Sequence, residues 1–205
     1  MKTQIKIAIT GLVMLVASAP VMAAGDVQAG KAKAQVCFSC HGTNGVSPAN
    51  PAWPTLAGQH AKYLAKQLAD FKQGKTRKDA AMAGQVANLT DKDMANLGAF
   101  FAAQTPKAGG AAKDKVTLGQ NIYRGGNEKS GVAACAGCHA PNGAGNPAAN
   151  FPRLSGQNAA YTVKTLNDFA KGTRSNDAGS MMRTIAQRMT DAEKSAVASY
   201  IQGLK

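Results

Sequence analysis

The feature that most restricts this chain is a five-residue string that occurs twice. Cys37-Phe38-Ser39-Cys40-His41 returns 98 residues later as Cys135-Ala136-Gly137-Cys138-His139. Its surroundings return with it: Asn44-Gly45 as Asn142-Gly143, and Trp53-Pro54-Thr55-Leu56-Ala57-Gly58-Gln59 as Phe151-Pro152-Arg153-Leu154-Ser155-Gly156-Gln157. Tyr63, Leu68, Asp70, Phe71 and Gly74 match Tyr161, Leu166, Asp168, Phe169 and Gly172 at the same spacing. Further on the offset grows to 100, where Leu89-Thr90-Asp91 matches Met189-Thr190-Asp191 and Phe100 matches Tyr200. A tandem duplication of two small units follows. The joint runs from Gln104 to Leu118 and is rich in Gly, Pro and Lys, which predicts an exposed linker at 106–118. The expected division is 24–105 and 119–205 around it. The second unit carries nine extra residues, because Gly119 stands 16 before Cys135 whereas Gly30 stands 7 before Cys37.

The first 23 residues read as a secretory signal peptide. Lys2 and Lys6 precede an apolar stretch from Ile7 to Val16, and Val21-Met22-Ala23 has the small-residue pattern of a cleavage site. The apolar stretch is too short to remain as a membrane span. Export is therefore expected. Loss of the two lysines takes the net charge from +13 to +11.

The unit is predicted to be all-α. Leu64, Leu68 and Phe71 share one face of a helix over 60–73, with Gly74 as its stop. Thr90 opens a helix carrying Met94, Leu97 and Phe101, and Thr190 with Glu193 has the capping-box pattern before Val197, Tyr200, Ile201 and Leu204. Short helices from about Val27 and Val116 run into the cysteine strings. No segment alternates as a strand does, so each half reads as three or four short helices joined by loops.

A Cys-x-x-Cys-His string is the attachment site of a c-type haem. Two thiols one helical turn apart add to the two porphyrin vinyl groups. The following histidine then lies at the iron. Cys37, Cys40, Cys135 and Cys138 are the expected thioether residues, and His41 and His139 the proximal iron ligands. Two disulfides, a thioredoxin-like redox pair or one zinc on four thiolates are the alternatives. None of them requires the two histidines. Haem also explains a chain with only 5% aromatic residues, since a porphyrin supplies the bulk that large rings usually give.

The second axial ligand cannot be histidine in both halves. Outside the strings the chain has only His60, and its counterpart is Asn158. His60 reads as a surface residue at a helix start. Among the methionines, Met82 and Met182 each precede the capping threonine by eight residues. They are the expected axial ligands, placed in a loop before the last helix, with Met181 as the rival of Met182. Met94 and Met189 read as core residues. Methionine ligation raises the reduction potential and closes the iron to oxygen and peroxide. It therefore favours an electron carrier over a haem enzyme. The carbonyls of Pro54 and Pro152, thirteen residues after each histidine, are candidates to hold the imidazoles.

On these residues the chain resembles the class I cytochromes c, and over its mature length the dihaem cytochromes c4 of bacteria. Gly25-Asp26-Val27-Gln28-Ala29-Gly30 leads into the first string as that family's opening does. Phe151-Pro152-Arg153-Leu154-Ser155-Gly156-Gln157, Asp168-Phe169, Asn176-Asp177 and Ser199-Tyr200-Ile201-Gln202-Gly203-Leu204 carry the rest of the likeness. The resemblance implies two tandem haem domains related by a pseudo-twofold, with haem propionates facing each other. It places the axial methionines on Met82 and Met182. It implies single-electron transfer in the periplasm, soluble or peripherally attached to the inner membrane, from an upstream cytochrome or quinol-oxidising complex to a terminal oxidase in a respiratory chain. A dihaem subunit of a sulfide- or alcohol-oxidising dehydrogenase is the other reading. The charge spreads as +4, +2 and +5 over 24–105, 106–118 and 119–205, which suits acidic partners or anionic lipid headgroups. An exported chain whose basic residues do not cluster is not expected to bind nucleic acid.

Overall fold

The computed structural model describes residues 25–47 and 50–205; the expected signal peptide lies outside the described residues. Ten α-helices and no strand are present among them, so the all-α expectation stands. The first half holds α1 (Val27–Lys33), α2 (Phe38–His41), α3 (Ala61–Gln73), α4 (Ala80–Val86) and α5 (Asp91–Ala102). The second holds α6 (Val116–Gly125), α7 (Ala136–His139), α8 (Ala159–Ala170), α9 (Met181–Arg188) and α10 (Asp191–Gly203). Each half thus has more helices than expected. The additions are one-turn helices at the cysteine strings and short helices around Met82 and Met182, too brief to leave a periodic signature.

Side chains at the expected positions start the helices. Asp26 Oδ1 accepts from the amides of Gln28 and Ala29 at 2.7 and 2.9 Å and caps α1. Thr90 with Asp93, and Thr190 with Glu193, form complete capping boxes at α5 and α10. Gly74, in the left-handed conformation, ends α3.

Within each half the first helix crosses the last at backbone contact. A Cβ on Gly30 would fall 2.0 Å from the Asn96 carbonyl oxygen, and one on Gly119 would fall 2.2 Å from that of Ala196. Only glycine permits this approach. Two separate cores result. Leu64, Leu97, Phe100 and Phe101 centre the first; Ile122, Tyr123, Leu166, Phe169, Val197 and Ile201 centre the second. Met94 and Met189 are buried as expected.

The nine extra residues of the second half form a small loop closed by pairing of Asn127 with Val132. Val132 enters the second core, Asn127 Nδ2 donates to Glu193 Oε1 at 2.7 Å, and Arg188 Nη1 donates to the Gly131 carbonyl at 2.9 Å. In the first half the counterpart of Glu193, Asp93, instead meets Lys33 at 3.1 Å near the surface. The joint is mostly exposed but fastened to α10: the Gly109 amide donates to the Gln202 carbonyl at 2.9 Å, and the Ala112 amide to Ser199 Oγ at 2.9 Å. α6 begins at Val116, so the last residues of the span read as linker are helical.

Candidate haem centres

Each cysteine string winds into a single turn, α2 or α7, that ends at its histidine. Gly42 ends the first turn with φ 75°, and Ala140 ends the second with φ 66° and ψ 154°. That backbone region belongs to glycine, so Ala140 is strained. The Tyr123 hydroxyl donates to its carbonyl at 2.7 Å and holds it there. The four thiols are free, and no cluster of His, Cys, Asp and Glu able to hold a metal ion occurs among the described residues. One zinc on four thiolates therefore does not fit. Burial raises the Cys37 thiol pKa, and that of Cys135 to about 11.

The two imidazoles are buried and held alike. His41 Nδ1 lies 3.1 Å from the Pro54 carbonyl oxygen, and His139 Nδ1 lies 2.9 Å from that of Pro152. A carbonyl only accepts, so each Nδ1 carries the proton and each Nε2 keeps its lone pair. Burial lowers both histidine pKa values, against a smaller opposite effect of the proline bonds. The result is a neutral, oriented imidazole of the kind a metal ion requires. With two free thiols on the same turn and partly buried apolar side chains beside them (Phe38 and Leu56; Ala136 and Leu154), the donor set fits a covalently attached haem.

Met82 and Met182 do not lie in a loop as expected. Asp79 caps α4 by accepting from the amides of Ala81 and Met82, both at 3.1 Å. Asp177 accepts from the Arg183 amide at 3.0 Å and pairs with Arg183 Nε at 2.8 Å, fastening α9. The Asp79 cap starts the first methionine helix, and the Asp177–Arg183 pair ties down the second, whose own N-cap, Ser180, makes no side-chain cap bond. Met182 is half-buried against the second core, whereas Met181 is 41% exposed. Met82 is half-buried. His60 is half-buried rather than a surface residue, because the second half covers it.

The seam between the halves holds residues that the sequence alone does not single out. Arg77 and Arg174 are buried, each over the phenylalanine of its own half, Phe71 at 4.2 Å and Phe169 at 4.5 Å. Each donates to a tyrosine of the other half: Arg77 Nη2 to Tyr161 Oη at 2.8 Å, and Arg174 Nη2 to Tyr63 Oη at 2.9 Å. Gln67 Oε1 accepts from Arg77 Nη1, Arg174 Nη2 and Asn176 Nδ2 at 2.6, 3.0 and 2.7 Å. The available signal was the recurrence of Thr76-Arg77 as Thr173-Arg174 shortly after each matched glycine.

Known proteins match the chain in both halves. A sequence model of the family described as cytochrome c matches residues 27–105 and again 116–205. A cytochrome c4 of Azotobacter vinelandii is 47% identical over 191 residues, covering 89% of this chain and 90% of that protein. The crystal structure of reduced recombinant cytochrome c4 from Pseudomonas stutzeri superposes with a TM-score of 0.85 at 45% identity, covering 89% of this chain and all of that one. A thiosulfate dehydrogenase electron acceptor of Thiomonas intermedia is 35% identical, covering 82% of this chain and 78% of that protein.

Proposed function

Since the chain belongs to the cytochrome c family, in the dihaem form of cytochrome c4, we propose that it carries electrons in the periplasm from a quinol-oxidising complex or cytochrome to a terminal oxidase. It is an electron carrier and not an enzyme, with two covalently bound haem c groups. Haem, when bound, supplies a one-electron iron couple.

The rest is the work of this chain's own side chains. Cys37 with Cys40, and Cys135 with Cys138, would hold a haem through thioether bonds. His41 and His139 would offer Nε2 to its iron, because the carbonyls of Pro54 and Pro152 hold Nδ1–H. Met82 and Met182 would supply a thioether sulfur to the iron, Met182 rather than Met181 because it packs inward. A thioether donor would favour the reduced metal and suit electron transfer over catalysis. Among the described residues no helix is long and apolar enough to cross a membrane. The +11 charge of the processed chain favours acidic redox partners, with encounter rates that fall as salt rises.

The observation that carries this reading is the twofold His–Pro arrangement, which builds two equivalent iron sites in one chain. Stopped-flow mixing of the reduced, haem-loaded protein with oxidase-containing membranes tests it, alongside fractionation of the cells. Rapid, salt-sensitive oxidation and a periplasmic location are expected. Slow oxidation beside fast reduction by a periplasmic sulfur-compound dehydrogenase supports the second reading, a dehydrogenase partner. The relationship to the thiosulfate dehydrogenase electron acceptor favours that reading over an alcohol-oxidising one.

A further inference from the structure

The two halves fill the space beside the cysteine string with different residues. In the first half the string itself brings the ring. Phe38 packs on Phe100, centroids 6.0 Å apart, and the chain running out of α1 has only the buried Ala34. In the second half the positions trade. Ala136 stands where Phe38 stood, and Tyr123 follows Gly119 at the distance at which Ala34 follows Gly30. Tyr123 is fully buried and packs on Tyr200, the counterpart of Phe100, at 5.5 Å. The trade carries into the second half a hydroxyl that the first does not have.

That hydroxyl meets the turn after His139. It donates to the Ala140 carbonyl at 2.7 Å, which also accepts from the Gly143 amide at 3.0 Å. Burial raises the Tyr123 pKa, so the group stays a donor. The Gly143 carbonyl accepts from the Leu154 and Ser155 amides at 2.8 and 3.1 Å. The turn is thereby tied to the segment whose Pro152 carbonyl holds His139 Nδ1 at 2.9 Å. In the first half Gly42 makes the same turn in a conformation open to glycine, and its amide closes onto the Phe38 carbonyl at 2.9 Å. Ala140 takes that conformation against its own Cβ, and among the described residues without the closing bond. Glycine in one half and a tyrosine hydroxyl in the other are two ways to hold one turn.

We propose that Tyr123 is a positioning residue of the second centre: its hydroxyl holds the strained Ala140 peptide and, through it, the orientation of the His139 ring. Without the hydroxyl the peptide relaxes toward the ordinary region of an alanine. His139 directly precedes it, so the ring turns and its bond to Pro152 opens more often. The first centre is indifferent to this, because Gly42 is unstrained and Ala34 has no polar group. The inference rests on His139 binding the second iron; a low-spin signal for both irons in the wild-type protein checks that premise separately.

The test compares the haem-loaded, full-length wild type, Tyr123→Phe, Ala140→Gly and the double variant by proton NMR. Tyr123→Phe keeps the ring and its packing on Tyr200 and removes only the hydroxyl. In the oxidised proteins the hyperfine-shifted haem methyls follow the plane of the axial imidazole. Those of the second haem are expected to move in Tyr123→Phe, and those of the first to stay. In the reduced proteins the His139 Nδ1 proton is expected to exchange with solvent about tenfold faster in Tyr123→Phe, the size of one lost hydrogen bond, with His41 unchanged. In the Ala140→Gly background the same substitution changes the His139 rate by less than about twofold, because the two effects share one peptide and are not additive. Unmoved second-haem methyls, an unaltered His139 rate, equal acceleration at both histidines, or an effect of full size on top of Ala140→Gly overturns the proposal.

Discussion

Gln157 clamps the backbone of Thr55 from both sides: its Oε1 accepts from the Thr55 amide at 2.8 Å and its Nε2 donates to the Thr55 carbonyl at 2.9 Å. Gln59 returns the arrangement to Arg153, both bonds at 2.9 Å. A pseudo-twofold therefore fixes the stretches that follow Pro54 and Pro152, and so the two histidine rings. Gln157→Leu leaves a buried amide and carbonyl of Thr55 unpaired. It is expected to destabilise the haem-loaded chain by roughly 2–4 kcal/mol. Denaturant unfolding followed at the haem absorbance checks this, and a loss below about 0.5 kcal/mol contradicts it.

Ala140 stands where the first half has Gly42, in a backbone conformation that suits glycine alone. Strain of this kind costs about 1–3 kcal/mol, and glycine returns about 0.5–1 kcal/mol of that through the freedom of its unfolded chain. Ala140→Gly should therefore stabilise the second half by about 1 kcal/mol. Thermal unfolding of the two proteins side by side decides it; a lower midpoint in the variant would refute the strain.

Met182 packs inward and Met181 is exposed. Oxidised Met181→Ala should keep the full intensity of the weak near-infrared band that reports iron–methionine bonds. Met182→Ala should lose about half of it, as should Met82→Ala, since each haem contributes one such bond. Loss of the band in Met181→Ala reverses the assignment.

Tyr161 lies at the seam with Arg77 donating to its hydroxyl. Burial opposes its ionisation, but the charges of Arg77 and Arg174 outweigh that and bring its pKa below the ordinary tyrosine value. A free tyrosine titrates near 10. The folded value is the lower one, so ionisation adds stability that is absent well below the folded pKa and grows up to about pH 10. Tyrosinate absorbance near 295 nm should show one early transition that Tyr161→Phe removes. A titration of all tyrosines near pH 10 or above excludes it.

Removing the haems should remove most of the fold. Burying a few hundred Å² of porphyrin contributes several kcal/mol at about 25 cal/mol per Å², comparable to the whole stability of a domain this small. Unattached protein made with all four cysteines replaced by serine is expected to show little helical circular dichroism. Native helicity in that sample would mean that the polypeptide core suffices alone.

What the amino-acid sequence determined by itself is everything set by local spacing. The Cys-x-x-Cys-His turns, the capping threonines at Thr90 and Thr190, and the proline carbonyls at a fixed distance from each histidine all lie within a few turns of chain or recur in register. The helices around Met82 and Met182 are not legible in the sequence, because a helix of seven or eight residues leaves too few periods. What only the tertiary structure decided is the seam. Arg77 meets Tyr161, Arg174 meets Tyr63, and Gln157 meets Thr55 across separations of 84 to 111 residues. Nothing in a chain's local chemistry says which buried donor will find which distant acceptor, because that pairing exists only once two independently folded surfaces have been brought face to face.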